Sequence, residues 1–150
     1  MGELPTHMTT SPVRIAILAA TYNKELVDFM VDAAMQEAEA LGESITKIVR
    51  VPGAYEMPLV ADGLLAQTEI DALVVLGFIE RGETLHGHIM GQVVHTALMQ
   101  LSLQYKKSIG CGIIGPGAVV EQAELRKDAY ARAAVRATLA SHTITQDLWS

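Results

Sequence analysis

Four short apolar runs punctuate the chain, at residues 13–19, 45–51, 72–77 and 108–114. They are continuous rather than alternating, which is the pattern of strands buried on both faces of a sheet. Between and after them the apolar spacing becomes helical. Leu26, Phe29, Met30, Ala33 and Ala34 share one face of a first helix, with Asp28, Asp32 and Gln36 turned away and Gly42 as its stop. A second helix is predicted over 57–67, with Pro58 tolerated in its first turn. A third spans 86–105, where Ile89, Val93, Ala97 and Leu101 repeat at i, i+4. A fourth, rich in Ala, Glu and Arg, covers 119–141.

A strand-helix unit repeated four times predicts an α/β fold: a four-stranded parallel sheet with helices on both faces. Ligands of such sheets lie beyond the carboxyl ends of the strands. The segments that matter chemically are therefore 20–23, 52–56, 78–86 and 115–118.

Composition narrows the choice. With 150 residues, half of them hydrophobic, the chain suits one domain over 13–150 behind a flexible lead-in at 1–12. Met8 offers a second start site or a junction. The formal charge of −6 disfavours nucleic acid as a partner, so any phosphate must be met by a local cluster of donors. Cys111 is the single cysteine, which precludes an intrachain disulfide and a cysteine metal cluster, and suits a reducing cytoplasm. No apolar run reaches the ~20 residues of a membrane-spanning helix. His88 and His95 share a helix face but have no evident third ligand, a poor case for a metal. Trp149 either packs on a neighbour or hangs free.

Each predicted loop carries chemistry beside a plainer alternative. Tyr22 offers a ring face to a planar heterocycle, and Asn23 is either a polar ligand or a helix N-cap. In Val51-Pro52-Gly53-Ala54-Tyr55-Glu56-Met57-Pro58, Gly53 permits close backbone approach or a positive φ. Glu56 is either an acceptor for ligand hydroxyls or a carboxylate complementing a helix N-terminus. In Arg81-Gly82-Glu83-Thr84-Leu85-His86, a glycine turn leads into a helix and leaves backbone N–H groups unpaired. Gly82, Glu83 and Thr84 could cradle a phosphate there, and His86 could move protons near neutral pH. The alternative is a capped helix with a surface histidine. The run Gly112-Ile113-Ile114-Gly115-Pro116-Gly117 matches no nucleotide-binding spacing. Arg126 is either a solvated helix residue or a ligand offered to another subunit, being poorly placed for its own fourth-strand loop.

Taken together, Tyr22-Asn23, the segment from Val51 to Pro58, the segment from Arg81 to His86, and Glu121-Gln122-Ala123 with Arg126 resemble the 6,7-dimethyl-8-ribityllumazine synthase family. The resemblance covers residues 13–142. Leu103-Gln104-Tyr105 followed by the glycine-proline run is closer to its archaeal branch. The resemblance implies a flavodoxin-like αβα sandwich assembled into pentamers, sometimes twelve of them in an icosahedral shell, with active sites between subunits. It implies condensation of 5-amino-6-(D-ribitylamino)uracil with 3,4-dihydroxy-2-butanone 4-phosphate, with no metal or redox cofactor. By the same resemblance Tyr22 stacks on the pyrimidine, and Asn23 and Glu56 hold the ribityl hydroxyls, with Gly53, Ala54 and Tyr55 among the substrate contacts. Backbone at Phe78, Ile79 and Glu80 reads the pyrimidine edge, and Gly82, Glu83 and Thr84 bind the phosphate with Arg126 from the next subunit. His86 is the proton-transfer group. Three positions depart from the family pattern: Glu80 is usually apolar, Cys111 stands where an aromatic commonly covers the site, and Gly87 replaces an aromatic. The related archaeal type of riboflavin synthase lacks the Arg81-to-His86 motif. A non-catalytic flavin or lumazine binder would not need Asn23, Glu56, His86 and Arg126. An FMN module would want a phosphate loop after the first strand.

Overall fold

The computed structural model describes residues 11–149, so the predicted lead-in lies outside the described residues except for the exposed Ser11 and Pro12, and Met8 lies outside them too. In chain order the elements are β1 (Arg14–Ala20), α1 (Lys24–Ala40), β2 (Ser44–Val51), α2 (Met57–Leu65), β3 (Ala72–Glu80), α3 (His86–Tyr105), β4 (Ser108–Ala118) and α4 (Val120–Trp149). A single 3-10 turn, Ala54–Glu56, precedes α2. The four strands form one parallel sheet in the order β2-β1-β3-β4.

Alternation along the central strands sorts the core into two layers, because successive side chains point to opposite faces. Ile15, Ile17 and Ala19 of β1, with Val74, Leu76 and Phe78 of β3, pack against Val27, Met30 and Ala34 of α1 and Ala131 and Val135 of α4. Ala16, Leu18, Leu73, Val75 and Ile79 face the other way, onto Met57, Ala61 and Leu65 of α2 and Val94 and Leu98 of α3. This is the predicted flavodoxin-like three-layer sandwich. At the amino ends of the central strands, Arg14 holds Asp71 through Nε and Nη2 at 3.1 and 3.0 Å.

Several boundaries and faces differ from expectation. β2 is an edge strand, so only Val51 is buried and Ile48 is exposed, although its apolar run matched those of the interior strands. β3 continues through Phe78, Ile79 and Glu80. β4 absorbs Gly115, Pro116 and Gly117, which composition assigns to a loop. A proline is tolerated there because β4 is the other edge and the pairing is irregular, Glu80 standing opposite Ala118 after a register shift. In α3 the buried residues are Gly91, Val94 and Leu98, whereas Ile89 and Val93 are 59% and 49% exposed. The helix is apolar on two sides, and only one can meet the sheet. Phe29 is also exposed, with the Lys127 ammonium 4.2 Å above its ring. Helix α4 runs to Trp149 rather than residue 141, since no glycine or proline stops it, and the Thr145 hydroxyl donates back to the Ser141 carbonyl. Trp149 has the Lys106 ammonium over its ring at 5.2 Å.

α4 approaches the sheet closely. A Cβ at Gly110 would collide with the Thr138 hydroxyl and the Ala134 carbonyl. At the other end of the helical layer, α1 stops where Gly42 takes φ 76° and Glu43 N–H donates to Ala38, as expected of a glycine C-cap.

Candidate active site

The carboxyl ends of β1, β2 and β3 open onto a cavity of about 460 Å³. Its wall takes Tyr22 from the segment after β1, Pro52 to Glu56 from the segment after β2, and Phe78 to Glu80 from the end of β3. Gly82, Thr84, His86, Gly87 and Met90 complete it from the turn into α3 and the first turns of that helix. Two backbone bonds tie the first two segments together: Thr21 N–H donates to Val51 at 2.7 Å and Tyr22 N–H to Pro52 at 3.1 Å.

Asn23 occupies the N-cap position of α1 at φ 54°, a left-handed conformation that asparagine tolerates better than most residues. Its side chain makes no capping bond. Instead its amide nitrogen lies 3.5 Å from Glu80 Oε1, and the Tyr22 hydroxyl donates to that same oxygen at 2.9 Å. The bond to Glu80, helped by partial burial, raises the Tyr22 phenol above its ordinary pKa and keeps it a donor.

After β2, Gly53 is fully extended (φ −152°, ψ −175°), so the glycine is not there for a positive φ. Its N–H donates to Glu56 Oε2 at 3.0 Å, while the Glu56 N–H donates to the Gly53 carbonyl at 3.3 Å, so the two residues brace the 3-10 turn. One Glu56 oxygen thus braces the turn, and the exposed residue also lines the cavity.

The segment from Arg81 to His86 is exposed throughout. Thr84 Oγ1 accepts the His86 N–H at 3.3 Å, which leaves its own hydroxyl proton available to a ligand. The next backbone N–H groups of α3 have no intrahelical partner, as at any helix N-terminus. Gly87, just inside the helix, sits where an added Cβ would come within 3.4 Å of the Glu80 carbonyl and 3.5 Å of Ile79, so a large side chain would fill cavity space.

Of the predicted site residues, Tyr22, Gly53 to Glu56, Phe78 to Glu80, Gly82, Thr84 and His86 converge on this cavity. Asn23 borders it through Glu80, and Glu83 contributes nothing to its wall. Two residues are brought elsewhere. Cys111 lies mid-strand in β4, paired with Val75, and opens onto a separate cavity where its sulfur is 3.5 Å from His95 Nδ1. Desolvation there raises its thiol pKa more than a backbone bond from Ile113 lowers it. Arg126 donates to the Gln122 carbonyl at 3.0 Å and shares a shallow depression with Gly115, Pro116 and Gly117. It thus sits beside its own fourth-strand segment, contrary to expectation, because β4 extends along the base of α4.

Pro52 and Met90 line the cavity without having been assigned to it. Met90 lies one turn after His86, a spacing that would have pointed to it. Among the described residues no lysine or arginine lines the cavity, and no cluster of three potential metal ligands exists.

The chain matches the family described as 6,7-dimethyl-8-ribityllumazine synthase over residues 12–146. Similar proteins bearing that name include one from Metallosphaera sedula, 35% identical over 88% of this chain and 87% of the relative. Another, from Staphylothermus marinus, is 40% identical over 83% of each. A third, from Pyrobaculum arsenaticum, is 36% identical over 85% of each.

Proposed function

Since the chain belongs to the 6,7-dimethyl-8-ribityllumazine synthase family and is an enzyme of riboflavin biosynthesis, we propose that the cavity at the carboxyl ends of β1, β2 and β3 is where it condenses 5-amino-6-(D-ribitylamino)uracil with 3,4-dihydroxy-2-butanone 4-phosphate. Residues 13–150 act as one catalytic domain in this reading. The observation that carries it is the convergence of Tyr22, Glu56, Glu80, Gly82, Thr84 and His86, from three segments of the chain, on that one cavity.

Tyr22 stacks on the pyrimidine, whose edge meets the backbone of Phe78, Ile79 and Glu80. Gly53, Ala54 and Tyr55 shape the adjoining wall. Asn23 and the free oxygen of Glu56 take the ribityl hydroxyls. The phosphate lies against Gly82, Glu83 and Thr84, where backbone N–H groups and the Thr84 hydroxyl are the available donors. His86 relays protons as the amine adds to the ketone, water leaves to give the imine, phosphate is eliminated and the second amine closes the ring with loss of water. Holding both substrates in register supplies much of the remaining rate enhancement.

A dianionic phosphate calls for a cation, and among the described residues no lysine or arginine of the same copy lines this cavity. In the proposed assembly Arg126 of an adjacent subunit provides it, with the bidentate geometry of a guanidinium, and the site is completed only between copies. Exposed apolar side chains on α3 and α4, among them Ile89, Val93, Leu103 and Leu125, support a homo-oligomer, pentameric or built into a larger shell. No helix among the described residues is long and apolar enough to cross a membrane. A cytoplasmic setting, which the lone free thiol suits, belongs to the same proposal. Purified protein mixed with both substrates should release phosphate and develop lumazine fluorescence together. Neither signal at ample enzyme concentration would overturn the reading.

A further inference from the structure

The roles above use the ring of Tyr22 and the backbone of Glu80 but give no work to the Glu80 carboxylate. That carboxylate ends β3 on the cavity wall, half-buried, with Oε1 engaged by the Tyr22 hydroxyl at 2.9 Å and approached by the Asn23 amide at 3.5 Å. Among the described residues nothing hydrogen-bonds Oε2. An ionised carboxylate accepts and never donates, so an oxygen left open beside the cavity favours a ligand with N–H groups and repels an anion. Tyr22 is 49% exposed. A side chain so placed samples several rotamers unless its far end is tethered, and the bond to Glu80 is that tether.

We propose that Glu80 is a positioning and specificity residue for the aminopyrimidine substrate: Oε1 fixes Tyr22 and Asn23 on the wall, and Oε2 accepts an N–H of the heterocycle. This rests on reading the cavity as the lumazine synthase site. An apolar side chain at position 80 could do neither task. The negative charge also separates the two substrates, drawing the donor-rich, uncharged pyrimidine to the Tyr22 side and leaving the phosphate to the turn before α3.

The test compares the full-length protein with its Glu80→Leu, Glu80→Gln and Tyr22→Phe variants, and with Tyr22→Phe made in the Glu80→Leu background. Wild-type turnover is read first, and its absence overturns the function reading. Calorimetric titration of 5-amino-6-(D-ribitylamino)uracil onto each protein reads the role of Glu80 independently. Glu80→Leu should weaken that binding, and raise the KM for the aminopyrimidine, by roughly tenfold or more, the loss expected of a charge-assisted hydrogen bond. The KM for the butanone phosphate should stay unchanged. Glu80→Gln, which keeps an acceptor for Tyr22 without the charge, should fall between. Tyr22→Phe should cost less in the Glu80→Leu background than in the wild type, because its hydroxyl has lost its partner there. If Glu80→Leu misfolds, Glu80→Gln alone carries the comparison. Unchanged aminopyrimidine binding in the folded variants, or equal rises in both KM values, would overturn the proposal.

Discussion

His86 stands exposed at the start of α3, so replacing it subtracts chemistry without removing any buried surface. His86→Ala is expected to lower kcat by roughly 10²–10⁴-fold, the usual worth of a general acid–base group, with an unchanged melting midpoint. A kcat within a factor of two of wild type would strip His86 of its role. The bond between Glu56 and Gly53 and the ribityl contact proposed for Glu56 can be separated. Glu56→Gln retains an oxygen for the Gly53 N–H and should chiefly raise the KM for the ribityl substrate. Glu56→Ala should do the same and also lower stability by about 0.5–2 kcal/mol, the range measured for lost helix-end hydrogen bonds. Equal stabilities for the two variants in urea titrations would argue that the Gly53 bond contributes nothing. At this scale the sequence was informative about which residue types could do chemistry. It was silent on pairings such as Tyr22 with Glu80, 58 positions apart, because nothing local marks which distant side chain a given acceptor will meet.

Elements add constraints that no single side chain reveals. Gly110 lets α4 lie against β4, and Gly110→Ala would push Thr138 and Ala134, and with them the helix, away from the sheet. The expected loss is about 1–3 kcal/mol or more, as for other overpacked cores, read as a lower melting midpoint. A neutral result would mean that α4 has slack the structure does not show. Lys107, in the turn before β4, donates from Nζ to the carbonyls of Leu65 and Gln67 beyond the end of α2. Lys107→Met should cost ~1–3 kcal/mol, because those partly buried carbonyls lose their donor. Hydrogen exchange that is unchanged in α2 would show the bonds to be dispensable. The existence and order of these elements were legible from the periodicity of apolar residues. Their ends were less so: Gly115-Pro116-Gly117 reads locally as a loop, yet pairing with the end of β3 draws it into an edge strand.

Assembly and acid response belong to the whole molecule. If Arg126 completes a neighbour's site, Arg126→Ala and His86→Ala should each be nearly inactive alone and should complement when co-expressed. Random mixing leaves about a quarter of the sites with both groups intact in a closed ring. Absence of complementation in mixed oligomers, or full activity in a monomer, would place Arg126 outside the site. Acid stability follows from Asp71. Partial burial pushes its carboxyl upward, but the hydrogen bonds and charge of Arg14 outweigh this and hold it below the ordinary value. A carboxyl depressed in the folded state stabilises fully above the unfolded value of about 3.9, and that contribution is lost as pH falls through the folded value. The stability gap between wild type and Asp71→Asn should therefore be constant near neutrality and shrink below about pH 4, as read from urea midpoints; an equal gap at both ends would refute the link. By itself the sequence determined the four βα units, the parallel sheet, the family, and the three segments that line the cavity, since each is written in local spacing or in contiguous motifs. Only the tertiary structure decided that β2 lies at an edge, that α3 buries Val94 and Leu98 rather than Ile89 and Val93, that Cys111 and Arg126 stand apart from the cavity of their own chain, and that Glu80 turns its carboxylate to Tyr22. Each of these depends on which surface an element meets, and local periodicity can offer two apolar faces without choosing between them.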